Sequence, residues 1–376
     1  MTLLLILFYL LLYYNIRQSK IRNKEKYFIV VVTIVMIFIS GFRHPAVGND
    51  TYATMLKFDE YAALDWKSLL TDFWYRLTST EYSDRDPAEI FLYKCMSYVC
   101  IDSRMFLIVF SAIILSCLGI INYKLKNNLL TLLFVYIFFA SFFYQYIPNS
   151  STRQPVAVIL IYFSYLSFNK KNFLRAVTLI VIASLFHKSA FIGLILLGFM
   201  SFKKVKAIYL LSVIFFLIVM IYYQEVAILL VGINEVYSDY ASSAYYQSTS
   251  RPLNIILFYV AMYLIALFKM FRDKTSEDNR MQYYGTALTL IFVPLIWVDP
   301  SLLRIGAYFG LFVPMLIARL YSGNREVLIM LAVVLLLNSF KDDGYRFMWQ
   351  EKKMHDRYAY INTTNVKRPK TVQLVI

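Results

Sequence analysis

Long apolar runs recur along this chain, separated by short polar breaks. Runs near 2–15, 27–42, 104–122, 129–147, 154–168, 173–187, 189–202, 207–223, 253–271, 282–298, 302–319 and 326–340 read as helices of membrane character. They predict an all-α, polytopic transmembrane bundle of about twelve spans, with both termini outside. A β-barrel would show strands of alternating hydrophobicity, whereas these runs are continuous. The first run precedes its basic segment, the reverse of a signal peptide, and so reads as a span.

Two long polar stretches interrupt the pattern. The first, 43–103, carries acids from Asp50 to Asp102 and aromatics such as Trp66, Trp74 and Tyr75. Its apolar end, 88–101, has about 14 residues, too few to cross a core ~30 Å thick. If it spanned, every later loop would invert, so it reads as an interfacial or re-entrant helix. The second stretch, 224–252, contains "SDYASSAYYQSTSRP" and has loop composition, either a flap over a cavity or an ordinary loop. A single transmembrane domain then covers 1–340, and 341–376 is a polar tail expected outside.

Charge orients this arrangement. The net charge is +15, with the basic residues gathered in short loops. Lys124 and Lys126, then Lys170, Lys171 and Arg175, then Lys203, Lys204 and Lys206 fall in the loops predicted to be cytoplasmic, the positive-inside pattern. No basic stripe with spaced aromatics marks a nucleic-acid face. Membrane lipids and anionic lipid-linked groups are the expected partners. Cys95, Cys100 and Cys117 form no CxxC pair and support neither a disulfide framework nor a zinc site.

The exceptions to the charge bias carry the candidate chemistry. The runs 155–168 and 173–187, joined by Asn169-Lys170-Lys171-Asn172, form a predicted hairpin whose open end holds Arg153 and His187. Each run of about 15 residues rises ~22 Å, which puts both side chains at or below the membrane surface. An ionisable residue at that depth is a functional hypothesis. In "STRQPVAV", Arg153 and Gln154 precede Pro155 at a helix start. Guanidinium and free backbone N–H groups there make an anion site; the plainer reading, a snorkelling arginine, is disfavoured by the dipole at a helix N-terminus.

In "SLFHKSAF", His187 and Lys188 sit in a tight outer turn, where a histidine can move a proton, bind a phosphate or merely satisfy the turn. In "GFRHPAVGNDTYATMLKF", Gly48 permits a turn that would aim Asp50 back toward the bilayer beside Arg43 and Tyr52. Alternatively, Asp50 caps the next helix. In "WVDPSLLRIGAYF", Arg304 is a second phosphate candidate or a surface partner of Asp299. Walker, zinc-cluster and GxSxG motifs are missing from the sequence, so no metal or cofactor is expected.

"RHPAVGNDTYATMLKF", "STRQPVAV", "LFHKSAF" and "RIGAYF" resemble, in order and spacing, the EpsG-like branch of the Wzy-type O-antigen and capsular polysaccharide polymerases, over about residues 40–310. The resemblance implies a GT-C-like membrane glycosyltransferase that uses neither metal nor nucleotide sugar. It would join undecaprenyl-diphosphate-linked repeat units on the outer side of the bacterial inner membrane. Donor and acceptor are both lipid-linked glycans, and a chain-length regulator is a further partner the resemblance allows. On this reading Arg153 and Arg304 bind diphosphate with Arg43 as helper. His187 and Asp50 are the candidates for proton transfer, and Gln154, Tyr52 and Lys188 support them. Two alternatives stay open: a lipid-oligosaccharide flippase, for which midplane charges and internal repeats are expected, and an O-antigen ligase.

Overall fold

The computed structural model describes residues 1–48, 50–78, 86–125, 127–144, 147, 149, 151–223, 225–226, 253–272, 279–297, 303–321 and 345–350, the side chains of 303 and 304 excepted. The expected segment 224–252 lies almost wholly outside these residues, as do the span expected at 326–340 and most of the tail.

Helices dominate, and no strand occurs among the described residues. The first two are α1 (Thr2–Gln18) and α2 (Lys24–Gly41). Three shorter helices follow, α3 (Thr51–Ala63), α4 (Trp66–Thr78) and α5 (Ala88–Ser97). Then come α6 (Ser103–Lys124), α7 (Leu129–Phe142), α8 (Arg153–Asn169) and α9 (Phe173–Phe186). The chain continues through α10 (Gly193–Ser201), α11 (Val205–Ile221) and α12 (Leu253–Arg272). It closes with α13 (Arg280–Phe292), α14 (Leu303–Gly306) and α15 (Phe312–Leu320).

Side-chain caps set several helix starts. Asp102 accepts from the Met105 N–H, Asn128 from Thr131 and Asn172 from Arg175. Each satisfies one of the free donors of a first turn.

Apolar side chains lie both inside and outside. In α7, apolar almost all round, and in α13, which also buries Gln282, Thr286 and Thr289, almost every side chain is buried, as expected of helices central in a bundle. Yet Leu11 is 64%, Ile221 69% and Phe268 64% exposed. Large apolar side chains exposed along several helices fit a surface facing lipid rather than water. By length and composition α6 and α12 can each cross a membrane, while α1, α7, α9 and α11 are apolar but shorter.

The α8–α9 hairpin forms as predicted. Ser164 donates to the Ala176 carbonyl at 2.7 Å, and Lys171 turns the chain with φ of 61°. Helix α5, ten residues long, rises only ~15 Å. It packs on α3 and α9 and, with α4, covers one end of the bundle.

Two expected spans are shorter or broken. Helix α7 stops at Phe142, short of the expected 147. The stretch 302–319 is divided by a buried turn at 307–311. At Gly310 a Cβ would stand 2.3 Å from a Phe143 ring carbon, so only glycine admits this approach. The break frees backbone groups, and the Tyr162 hydroxyl takes up two of them. It accepts from the Leu311 N–H at 3.2 Å and donates to the Ala307 carbonyl at 3.4 Å. Irregular backbone at membrane depth is tolerated where protein satisfies it in this way.

The beginning of the tail returns to the end of α2. Met348 N–H donates to the Phe42 carbonyl and His44 N–H to the Arg346 carbonyl, both at 2.9 Å. The Tyr345 hydroxyl donates to the Ile39 carbonyl. The 345–350 segment therefore lies at the same end of the bundle as residues 42–44.

Candidate active site at the open end of the α8–α9 hairpin

Asp86 is the hub of the site. It is 2% exposed and has φ of 59°, a left-handed conformation that Asp adopts more readily than most residues. Arg153, the first residue of α8, places Nη1 2.7 Å from Asp86 Oδ2. His187, just after α9, places Nδ1 3.7 Å from the same oxygen. The Lys188 backbone N–H donates to Asp86 Oδ1 at 3.2 Å. The two helix ends of the hairpin thus converge on one carboxylate, supplied by the segment leading into α5.

Glu89, one turn along, forms the second wall. Its Oε1 accepts from the Tyr93 hydroxyl at 2.7 Å and from Thr152 at 2.8 Å. Arg153 Nε lies 3.7 Å away, and Lys57 Nζ from α3 lies 3.3 Å from Oε2. Two buried carboxylates thus meet one guanidinium and one ammonium. Burial alone would raise both carboxyl pKa values. For Asp86, His187, Arg153 and the Lys188 N–H outweigh burial; for Glu89, Arg153, Lys57 and the two hydroxyls do so. Both are held below their ordinary range and are ionised at neutral pH.

This has a consequence for acid stability. Carboxyls depressed in the folded state bind fewer protons there than when unfolded, so stability falls as pH drops. The contribution of Asp86 and Glu89 should be intact above about pH 4–5 and be lost progressively as pH falls from there through their lowered folded-state values. Thermal unfolding of the purified protein from pH 7 to pH 3 checks this, with Glu89→Gln expected to flatten the acid limb. An unchanged limb in that variant would mean Glu89 gains nothing from its ionised partners.

Arg153 retains one free arm. Its Nη1 and Nε face the carboxylates, its side chain is one-third exposed, and Nη2 makes no hydrogen bond among the described residues. Beside it, Asp50 opens α3 without capping it through its side chain, and is close enough to favour the Arg153 charge.

Arg43 is elsewhere. It is 3% exposed, with Nε donating to Thr51 Oγ1 at 3.1 Å and Nη1 to the Ser40 carbonyl at 2.6 Å. Ser40 and Thr51 in turn hold Asn149, in the loop between α7 and α8, at 2.8 Å each. Arg43 thus braces the loop that delivers Arg153 and does not face the Asp86 cluster. Gly48 has φ of 84°, confirming the expected turn. Tyr52 is half-buried in the first turn of α3, Gln154 is buried, and the Lys188 side chain is exposed. The backbone of Arg304 lies in α14, and its side chain is outside the described residues. The segment following it reaches the His187 turn, where Tyr308 and Ser189 hydroxyls lie 2.9 Å apart.

Sequence reasoning overlooked Asp86, Glu89 and Lys57. A signal existed in "RDPAEIF": two acids three apart at a proline-marked helix start, ahead of an apolar run. The many other acids of 43–103 hid it.

An all-helical chain, apolar inside and over much of its surface, with ionised groups clustered at one end of a hairpin, is a membrane protein with a polar site at its rim. Residues 26–341 match the EpsG family, and the chain belongs to that family. It is therefore a membrane protein of polysaccharide biosynthesis. No curated protein and no solved structure matches the chain.

Proposed function

We propose that this protein is a Wzy-type polymerase, a bundle of about twelve spans in the bacterial inner membrane that works on its outer face. It extends O-antigen, capsule or exopolysaccharide from undecaprenyl-diphosphate-linked units. In the reaction the anomeric carbon of the donor glycan leaves the lipid diphosphate and bonds to a hydroxyl oxygen of the acceptor unit. The hydroxyl proton passes to a base, and the C–O electron pair leaves with the diphosphate.

The observation that carries this reading is the convergence of Arg153 and His187 on Asp86 Oδ2. A carboxylate beside Nδ1 orients the imidazole and leaves Nε2 to take the acceptor proton. The free arm of Arg153 offers a charged donor to the diphosphate, whose negative charge grows as the bond breaks. The two carboxylates fix that guanidinium in place before substrate arrives. Arg304 and Lys188 supply further positive charge for the diphosphate. Asp50 is the second candidate base.

His187 variants test this. His187→Ala should leave single repeat units on the lipid carrier and remove longer chains. His187→Gln should keep part of the activity if the side chain only donates a hydrogen bond, and almost none if it moves a proton. Chain length on a gel is read together with the amount of folded protein in the membrane. Long chains made by His187→Ala at normal protein level would transfer the base role to Asp50.

A further inference from the structure

The α8–α9 hairpin has a second charged end. Its closed turn, with the adjoining ends of α2, α6 and α7, lines a cavity of about 730 Å³. Lys26, Lys124, Lys170 and Arg175 line it, against the single acid Glu25. These cations come from three separate polar breaks in the sequence, which meet only in the folded chain. Phe163 and Leu166 give the cavity an apolar wall. The Lys124 ammonium lies 5.5 Å from the Phe163 ring centre, its stem along that wall.

One buried group in this lining has an unmet need. Asn127 is 5% exposed, and its Nδ2 has no hydrogen-bond partner among the described residues. The other side of its amide is engaged, because Arg319 Nη2 donates to Oδ1 at 3.1 Å and to the Leu125 carbonyl. Burying an amide N–H without an acceptor is costly, so the position calls for one. The cations around it specify that the acceptor is anionic.

We infer that this cavity binds a phosphate-bearing anion, with the Asn127 amide and the surrounding ammonium and guanidinium groups on its oxygens. The apolar wall and the position at a loop end of the bundle suit the phosphate of an anionic lipid headgroup; a soluble phosphate compound offers the same oxygens. The site is at the opposite end of the hairpin from Arg153 and His187, ~25 Å away along α8. It is independent of the catalytic reading.

The test uses the full chain in nanodiscs of zwitterionic phosphatidylcholine. One arm adds phosphatidylglycerol or cardiolipin, and the other adds inorganic phosphate or pyrophosphate to the buffer. Bound lipid is counted by native mass spectrometry, and thermal stability is followed in both arms. The wild-type protein should retain the anion and melt at higher temperature in one arm, which identifies the source. Lys124→Gln/Lys170→Gln should weaken this at least tenfold, and Asn127→Leu should weaken it with all charges kept. Lys203→Gln/Lys204→Gln removes two lysines outside the cavity and should leave binding unchanged. If the double variant folds poorly, Lys124→Gln alone replaces it. No anion-dependent shift in either arm, or equal loss in both lysine pairs, would overturn the inference.

Discussion

Asp86→Asn should remove nearly all polymer longer than one repeat unit while protein remains in the membrane. Asparagine keeps the shape, still accepts from the Lys188 N–H, and tolerates the left-handed φ of 59°. What it loses is the negative charge that Arg153 and His187 share. Of the two carboxylates that hold Arg153 only Glu89 then remains, and the imidazole loses the group that orients it. Loss of the carboxylate that orients a proton-transferring histidine costs up to about 10⁴-fold, and a guanidinium displaced from the reacting centre adds to it. Asp86→Ala should do worse for a different reason. It leaves a half-buried cation facing an uncharged methyl group, the kind of change that costs roughly 3–5 kcal/mol. Glycan ladders and membrane levels of both variants separate the effects. A normal ladder from Asp86→Asn at normal level would take Asp86 out of the mechanism.

Gly48→Ala should deplete the protein from the membrane. The added Cβ would stand 1.9 Å from the Asn149 carbonyl oxygen and 2.8 Å from its carbon. Both are backbone atoms, so no rotamer relieves the contact. The left-handed φ adds about 1–2 kcal/mol for a non-glycine residue. The total belongs to the exceptional class above about 4 kcal/mol. Any relaxation must push on the 143–152 loop, which carries Arg153 into the site. Immunoblots of membranes should show a several-fold drop, with little polymer per molecule that remains. Wild-type level together with a normal ladder would mean that Asn149 is free to move.

The long helices were legible because hydrophobic runs and caps are local. The open end of the hairpin followed from the spacing of Arg153 and His187 around a basic turn. Gly48 was legible because a turn was needed between α2 and the polar segment. The carboxylates were not, because Asp86 and Glu89 look like the exposed acids around them until α5 docks on α3 and α9. Arg43 illustrates the converse. Its place in a polar motif suggested phosphate binding, whereas the fold turns it inward onto Ser40 and Thr51. The break after Gly306 was hidden by unbroken hydrophobicity. It depends on a hydroxyl, that of Tyr162, from a distant helix.

The clasp between the tail and the end of α2 sets a clock on biogenesis. Tyr345 reaches back to Ile39 across 306 positions of sequence. Ribosomes add about 5–20 residues per second, so the earlier strand of this clasp waits roughly 15–60 s for its partner. During that interval α2, α6 and the hairpin can already be inserted and packed, while the rim around Arg43 stays open. Closure of that rim therefore waits until residue 345 and its neighbours have been made, long after the helices it closes over.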